Sequence, residues 1–251
     1  MTSQRWFPYR ADPLPDRLRL FCVPPAGAAA SVYRTWLPLL APDIEVVPVQ
    51  LPGREGRLDE RPLTSAAELA GQLLGPVLDR AGERFALFGH SMGALLAHDL
   101  AHLLTAHGRP PEHLVVSAHV PPQLTAQRRW DVAAAEMSDV DLRGYLAEWA
   151  GTPREILDQP ELMEVVLPVL KADLILCQSY VDIPRPALPM PVTALAGDGD
   201  GQVSVDELAR WSERTSAEFR MTILPGGHDY LYDDAPAVLG LISAALLAVS
   251  N

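Results

Sequence analysis

A serine hydroxyl becomes a useful nucleophile only when a base stands beside it, and Ser91 lies in a setting suited to that chemistry. It occupies the centre of Gly89-His-Ser-Met-Gly93, with an apolar run at Phe85–Phe88 before it and helix-forming residues at helical spacing from Leu95 to His107 after it. A G-x-S-x-G between a strand and a helix is the pattern of a nucleophile elbow. The turn is sharp and strained, so its flanking positions need residues without bulk while the hydroxyl is held up at the sheet edge. The helix behind the serine aims its positive end at the place where oxyanion charge would develop. Ser91 is the candidate nucleophile.

The base and its orienting carboxylate follow an elbow serine in the chain order Ser, Asp, His. His228, in the glycine-rich turn Leu224-Pro-Gly-Gly-His228, is the histidine near a strand end and far toward the carboxy terminus. Asp198 and Asp200 both lie in the loop of Ala196-Gly-Asp-Gly-Asp200. The G-x-x-D spacing puts Asp200 one step deeper and favours it, with Asp198 the alternative. Asp229 adjoins His228 and is expected to point elsewhere, because neighbouring side chains in an extended turn diverge. His119 ends a strand and is a second candidate base, without a Gly-His turn. His98-Asp-Leu-Ala-His102 has the i, i+4 histidine spacing of a zinc helix, yet Asp replaces the usual Glu and no third ligand is evident. No metal and no cofactor are inferred.

An oxyanion hole needs two convergent N–H groups. One is expected from Met92, directly after the nucleophile. The other is expected from the loop Val23-Pro-Pro-Ala-Gly-Ala28, with Ala26 the first choice of donor and Gly27 the next.

Six β-rich runs must carry these residues: Leu18–Val23, Ile44–Val49, Phe85–Phe88, Leu114–Ser117, Val192–Ala196 and Phe219–Leu224. Helical patterns fill the gaps at Val32–Leu40, Thr64–Arg80, Ser91–His107, Ser204–Thr215 and Pro236–Val249. Such alternation predicts a mostly parallel sheet with helices on both faces. Between Ser117 and Val192 the rhythm breaks into a proline-punctuated helical stretch, with helices expected at Asp139–Ala150, Glu155–Leu157 and Glu161–Val181. That stretch, about residues 120–187, reads as a lid or substrate-channel subdomain over the carboxyl edge of the sheet, within one domain spanning 1–251. Trp130, Tyr145, Trp149 and Met163 could line an acyl channel there, or simply form the subdomain's core.

A length of 251 residues suits one α/β domain. The net charge of −12, with no basic cluster, argues against nucleic-acid binding. Cys22 and Cys177 are the only cysteines and carry no disulfide framework. Met1–Pro8 has no apolar signal-peptide core, and the longest apolar run, Ala235–Val249, is shorter than the roughly 20 residues a membrane span needs. A soluble, cytoplasmic, monomeric protein that does not bind a membrane is expected.

Taken together, these motifs resemble the type II thioesterases that accompany polyketide synthases and nonribosomal peptide synthetases. The likeness runs over nearly the whole chain: Arg5-Trp-Phe, Phe21-Cys-Val-Pro-Pro-Ala-Gly, Tyr33-x-x-Trp36, Leu51-Pro-Gly-Arg-Glu55 with Arg57, Gly89-His-Ser-Met-Gly-Ala94, Gly197-Asp-Gly-Asp200 and Pro225-Gly-Gly-His228. The resemblance implies an α/β-hydrolase fold with a mobile helical lid, and hydrolysis of acyl thioesters from the phosphopantetheine arm of a carrier protein. The family's roles map onto Ser91, Asp200 and His228 as a triad and onto Ala26 and Met92 as oxyanion donors. Two positions depart from the family pattern. Ala28 stands where the loop usually has a second glycine, and Asp229 stands where an aromatic residue commonly follows the histidine. An acidic carrier would need local arginines to dock, and Arg54, Arg57, Arg128 and Arg129 are candidates. Two rival readings remain separable by assay. A general small-acyl esterase or acyltransferase would turn over oxygen esters or transfer to an alcohol or amine, and a non-catalytic interaction protein would ignore a serine-directed phosphonate.

Overall fold

The six β-rich runs form one parallel sheet with strand order β2-β1-β3-β4-β5-β6. A computed structural model of the chain describes residues 3–9, 17–40, 42–128, 130–149 and 154–248. The strands are β1 (Leu18–Val23), β2 (Ile44–Pro48), β3 (Phe85–His90), β4 (Leu114–Ser117), β5 (Val192–Gly197) and β6 (Phe219–Leu224). The main helices are α1 (Ala66–Arg80), α2 (Met92–Ala106), α3 (Asp139–Trp149), α4 (Pro160–Gln178) and α5 (Ala235–Leu247). β1, β3 and β5 are buried along nearly their full length, the signature of a parallel sheet covered on both faces. Phe21, Val23, Leu87, Val116 and Ala194 face α1 and α2. Leu20, Cys22, Phe88, Val115 and Leu195 face α5 and the turn that carries Tyr33 and Trp36.

The expected helix at Val32–Leu40 is instead a tight 3₁₀ run at Ala30–Trp36. Tyr33 and Trp36 are three apart, and a three-residue turn brings both rings edge-to-face against Phe88, with centroids 5.8 and 5.1 Å from it. The expected helix at Ser204–Thr215 divides into a capped helix, Val205–Ala209, and a 3₁₀ turn, Arg210–Arg214.

The chain runs from β1 outward to β2, then returns past β1 to β3 on its other side. The loops leaving the carboxyl ends of β1 and β3 therefore diverge, and such a switch point opens a crevice in the sheet edge. The segment between β4 and β5 holds α3, a short helix at Arg154–Leu157, and α4. It builds its own apolar cluster from Ala134, Leu142, Leu146, Met163, Leu167, Leu170 and Leu174, against which Ala26 of the β1 loop packs. Among the described residues no helix is long and apolar enough to cross a membrane.

Candidate active site

Ser91 sits between β3 and α2 at φ +52° and ψ −124°, a strained conformation for a residue with a side chain. Its N–H is tied to the Ser117 carbonyl of β4 at 2.8 Å. A Cβ on Gly89 would fall 2.1 Å from the Gly93 carbonyl oxygen, and one on Gly93 would fall 2.2 Å from that of Val23. Both approaches are to backbone, so the elbow closes only with glycine at these two positions. Beneath it His90 Nδ1 lies 2.9 Å from Ser117 Oγ, which lies 2.6 Å from the Tyr230 hydroxyl. Burial pushes the His90 imidazole down to about 4, so it stays neutral near pH 7.

The structure brings Ser91, His228 and Asp200 into one chain of contacts. His228 Nε2 is 3.0 Å from Ser91 Oγ, and His228 Nδ1 is 3.0 Å from Asp200 Oδ2. The other Asp200 oxygen accepts the Gln202 N–H at 2.7 Å, and the side chain is fully buried. Burial would raise the Asp200 carboxyl, but the hydrogen bond and charge of His228, with the Gln202 N–H, outweigh it and hold the group below its usual range. Asp198, the alternative carboxylate, is exposed and accepts the Gly226 N–H at 3.0 Å, which shapes the turn before His228. Asp229 turns away from His228 toward His90, with Oδ1 3.7 Å from His90 Nε2.

Met92 N–H and Ala26 N–H have no hydrogen-bond partner among the described residues. Gly27 N–H, the runner-up donor, is taken by Asp173 Oδ2 at 2.8 Å. Ala28 does not need glycine's freedom: its backbone lies outside the positive-φ region, and its N–H closes a turn onto the Pro25 carbonyl at 3.2 Å. Ser91 and His228 open into a cavity of about 260 Å³ walled by Ala26, Val32, Tyr145, Leu146, Met163, Val166 and Tyr232. Tyr145 and Met163 therefore reach this cavity. Trp130 instead lines a second one of about 500 Å³, which Tyr145 also borders. The Trp149 side chain lies outside the described residues.

Other sequence candidates go elsewhere. His119 is buried with Nδ1 2.7 Å from the Val120 carbonyl, and burial pushes it down to about 3. His98 and His102 meet each other, Nε2 to Nε2 at 3.2 Å. Arg54 and Arg57 do not form an exposed docking patch. Arg54 is held by Asp173, and Arg57 is paired with Glu60 under the Trp6 ring. The expectation that these two arginines dock a carrier is overturned by their burial. Arg128 donates to the Gln202 carbonyl, and Arg129 lies outside the described residues. Asp173 and Gln50 were not singled out by the sequence. A carboxylate among Leu170, Leu174, Ile175 and Leu176, with Lys171 the other charge of the stretch, was the available signal for Asp173.

A parallel sheet whose third strand ends in a strained serine elbow, with a histidine and a buried aspartate delivered from later loops, defines an α/β-hydrolase. The thioesterase domain family matches residues 18–246. The chain belongs to that family. The thioesterase PikA5 of Streptomyces venezuelae is 37% identical over 244 residues, covering 95% of this chain and 84% of the relative. The gramicidin S biosynthesis protein GrsT of Aneurinibacillus migulanus is 35% identical over 231 residues, covering 91% and 89%. Among solved structures, the type II thioesterase BorB from the borrelidin biosynthetic cluster superposes with a TM-score of 0.89 at 36% identity, covering 98% of this chain and 99% of that one.

Proposed function

We propose that this thioesterase is an editing enzyme that releases acyl groups from the phosphopantetheine thiol of a carrier protein in polyketide or nonribosomal peptide assembly. The observation that carries the reading is the Ser91–His228–Asp200 relay at 3.0 Å spacings, opening into an apolar cavity that Ala26 also lines, with the N–H groups of Ala26 and of Met92, next to Ser91, uncommitted among the described residues. In this reading His228 Nε2 takes the Ser91 proton as Oγ attacks the thioester carbonyl. The Ala26 and Met92 N–H groups hold the oxyanion, and Asp200 steadies the imidazolium. The C–S bond breaks and the pantetheine sulfur leaves with the proton from His228. A water then gives its proton to His228 and attacks the acyl-serine, releasing the acid and restoring Ser91.

The chain acts as one domain whose segment at about 120–187 is a lid, since α4 supplies both Met163 and Val166 to the cavity wall. At about 260 Å³ the cavity is below the ~300–1,000 Å³ usual for drug-sized ligands, which favours short acyl groups. Arg128 is the remaining described candidate, of the four, for contact with the carrier. The test is hydrolysis of acetyl, propionyl and longer groups from a phosphopantetheinylated carrier, beside the same groups on N-acetylcysteamine. Much faster release from the carrier is expected. Equal turnover of the free thioesters would replace the editing role with that of a general small-acyl hydrolase.

A further inference from the structure

The loop that offers Ala26 is a tight turn, Pro25–Ala28, closed by the Ala28 N–H on the Pro25 carbonyl at 3.2 Å. Gly27 sits at its third position with φ +75°, as a type II turn requires. The two common turn types differ by a flip of the central peptide, here Ala26–Gly27, so something must choose its orientation. That choice is made from outside the loop. Asp173 of α4 accepts the Gly27 N–H on Oδ2 at 2.8 Å.

The same carboxylate is gripped by Arg54, through 2.7 Å to Oδ2 and 2.8 Å to Oδ1, and it has no exposed surface. Arg54 also donates to the Ala28 carbonyl at 2.9 Å, pinning the far end of the turn. Gln50 completes the mount, with its amide nitrogen on the Arg54 carbonyl at 3.0 Å and its amide oxygen on the Ala30 N–H at 3.2 Å. Leu170, about one turn before Asp173 on α4, lies against Gly27. In a trans peptide the N–H points opposite to the preceding carbonyl. With the Pro25 carbonyl turned into the loop, the Ala26 N–H faces out of the turn, and Ala26 lines the cavity together with Ser91.

We propose that Asp173 and Arg54 are positioning residues for the oxyanion hole, fixing the turn that aims the Ala26 N–H and making hydrolysis depend on the seating of α4 over the site. The inference rests on the hydrolytic reading above and names a control on it. α4 lines the acyl cavity through Met163 and Val166 and anchors the turn through Asp173, so the helix that meets the acyl group also sets the donor. A displaced α4 withdraws the carboxylate that anchors the turn, so the whole Pro25–Ala28 turn, with the Ala26 N–H on its first peptide, loses its fixed placement and Met92 is left as the remaining fixed donor.

The test uses the full chain in three variants. Asp173→Asn removes the charge, Arg54→Lys removes the two-pronged grip, and the double variant Arg54→Met with Asp173→Leu removes both charges together. The double change avoids a stranded buried ion, so it keeps the fold accessible even where a single variant does not. Each is assayed on an acyl-N-acetylcysteamine thioester, with kcat expressed per serine titrated by a fluorophosphonate. Binding of an alkylboronic acid, whose serine adduct places an oxygen in the oxyanion hole, is measured in parallel. Misaiming one donor predicts a fall in kcat of about 10- to 100-fold with KM nearly unchanged. Boronate affinity should weaken by a similar factor.

A folded double variant with near-native kcat per titrated serine and native boronate affinity overturns the proposal. So does a loss of activity that merely tracks the loss of titratable serine. A wild-type protein that neither hydrolyses the thioester nor reacts with the phosphonate instead overturns the hydrolytic reading beneath it, a result distinct from active wild type with unimpaired variants.

Discussion

Asp200→Asn is the most incisive change because the structure dictates how the new amide must sit. One Asp200 oxygen accepts the Gln202 N–H at 2.7 Å and the other faces His228 Nδ1 at 3.0 Å. An asparagine must keep its oxygen on Gln202, since the reverse orientation would set two donors against each other at 2.7 Å. Its NH₂ group is then left facing His228 Nδ1 and favours the tautomer with the proton on Nε2. That nitrogen lies 3.0 Å from Ser91 Oγ, and once protonated it donates to the hydroxyl instead of accepting its proton. The fold should survive, because the shape and the Gln202 hydrogen bond are retained. A wrong-tautomer substitution of this kind in a serine protease lowers kcat by about 10⁴. At about 1.36 kcal/mol per tenfold, the expected loss is roughly 5.4 kcal/mol of transition-state stabilisation. The assay is steady-state hydrolysis of a propionyl-N-acetylcysteamine thioester, with free thiol followed by a disulfide dye. Asp198→Asn is the control: among the described residues its side chain bonds only the Gly226 N–H, and it should cost less than tenfold. An Asp200→Asn enzyme within tenfold of wild type, or a larger loss in Asp198→Asn, would refute the relay.

Gly93→Ala should destabilise the fold by about 3 kcal/mol or more in urea unfolding, because its Cβ would sit 2.2 Å from the Val23 carbonyl oxygen; a loss under 1 kcal/mol would show that the elbow can relax. Val166→Phe places bulk in the wall of the cavity, and it should raise the acetyl-to-hexanoyl ratio of kcat/KM by about tenfold or more, with an unchanged ratio removing Val166 from chain-length selection. Acid should weaken the protein well before its carboxylates titrate. Burial lowers His90 and His113 to about 4 and His119 to about 3, against 6.5 when exposed. Between those values the unfolded chain binds more protons, so stability is full above pH 6.5 and falls as pH drops toward 4. The limiting slope is about 1.4 kcal/mol per pH unit for each such histidine. Melting temperatures that stay level from pH 7 to 5 would contradict this.

The inner strands were legible because a parallel sheet buried on both faces needs short continuous apolar runs, and five of the six strands begin and end within one residue of the pattern. β3 runs on to His90, since the residues leading into the elbow still pair with β4. Ser91 and His228 were legible because each needs a local device, two glycines at close approach or a glycine-rich turn, that leaves a mark in the sequence. Asp198 and Asp200 could not be separated by chemistry alone, as both are carboxylates in one loop. The folded loop decides: one side chain is spent on the Gly226 N–H, and the other is buried against His228.

The helix expected at Val32–Leu40 fails for a similar reason, because the contact of Tyr33 and Trp36 with Phe88 overrides local propensity. Arg54 shows the limit most sharply. In the sequence it is a charge in a turn, available to a partner. In the fold it is 6% exposed and clasped by a carboxylate 119 positions away. Local geometry and hydrophobic periodicity act over a few residues and can be read along the chain. Burial of a charge depends on which distant group the topology brings to meet it, so the mount that Asp173 and Arg54 give the β1 loop exists only in the tertiary structure.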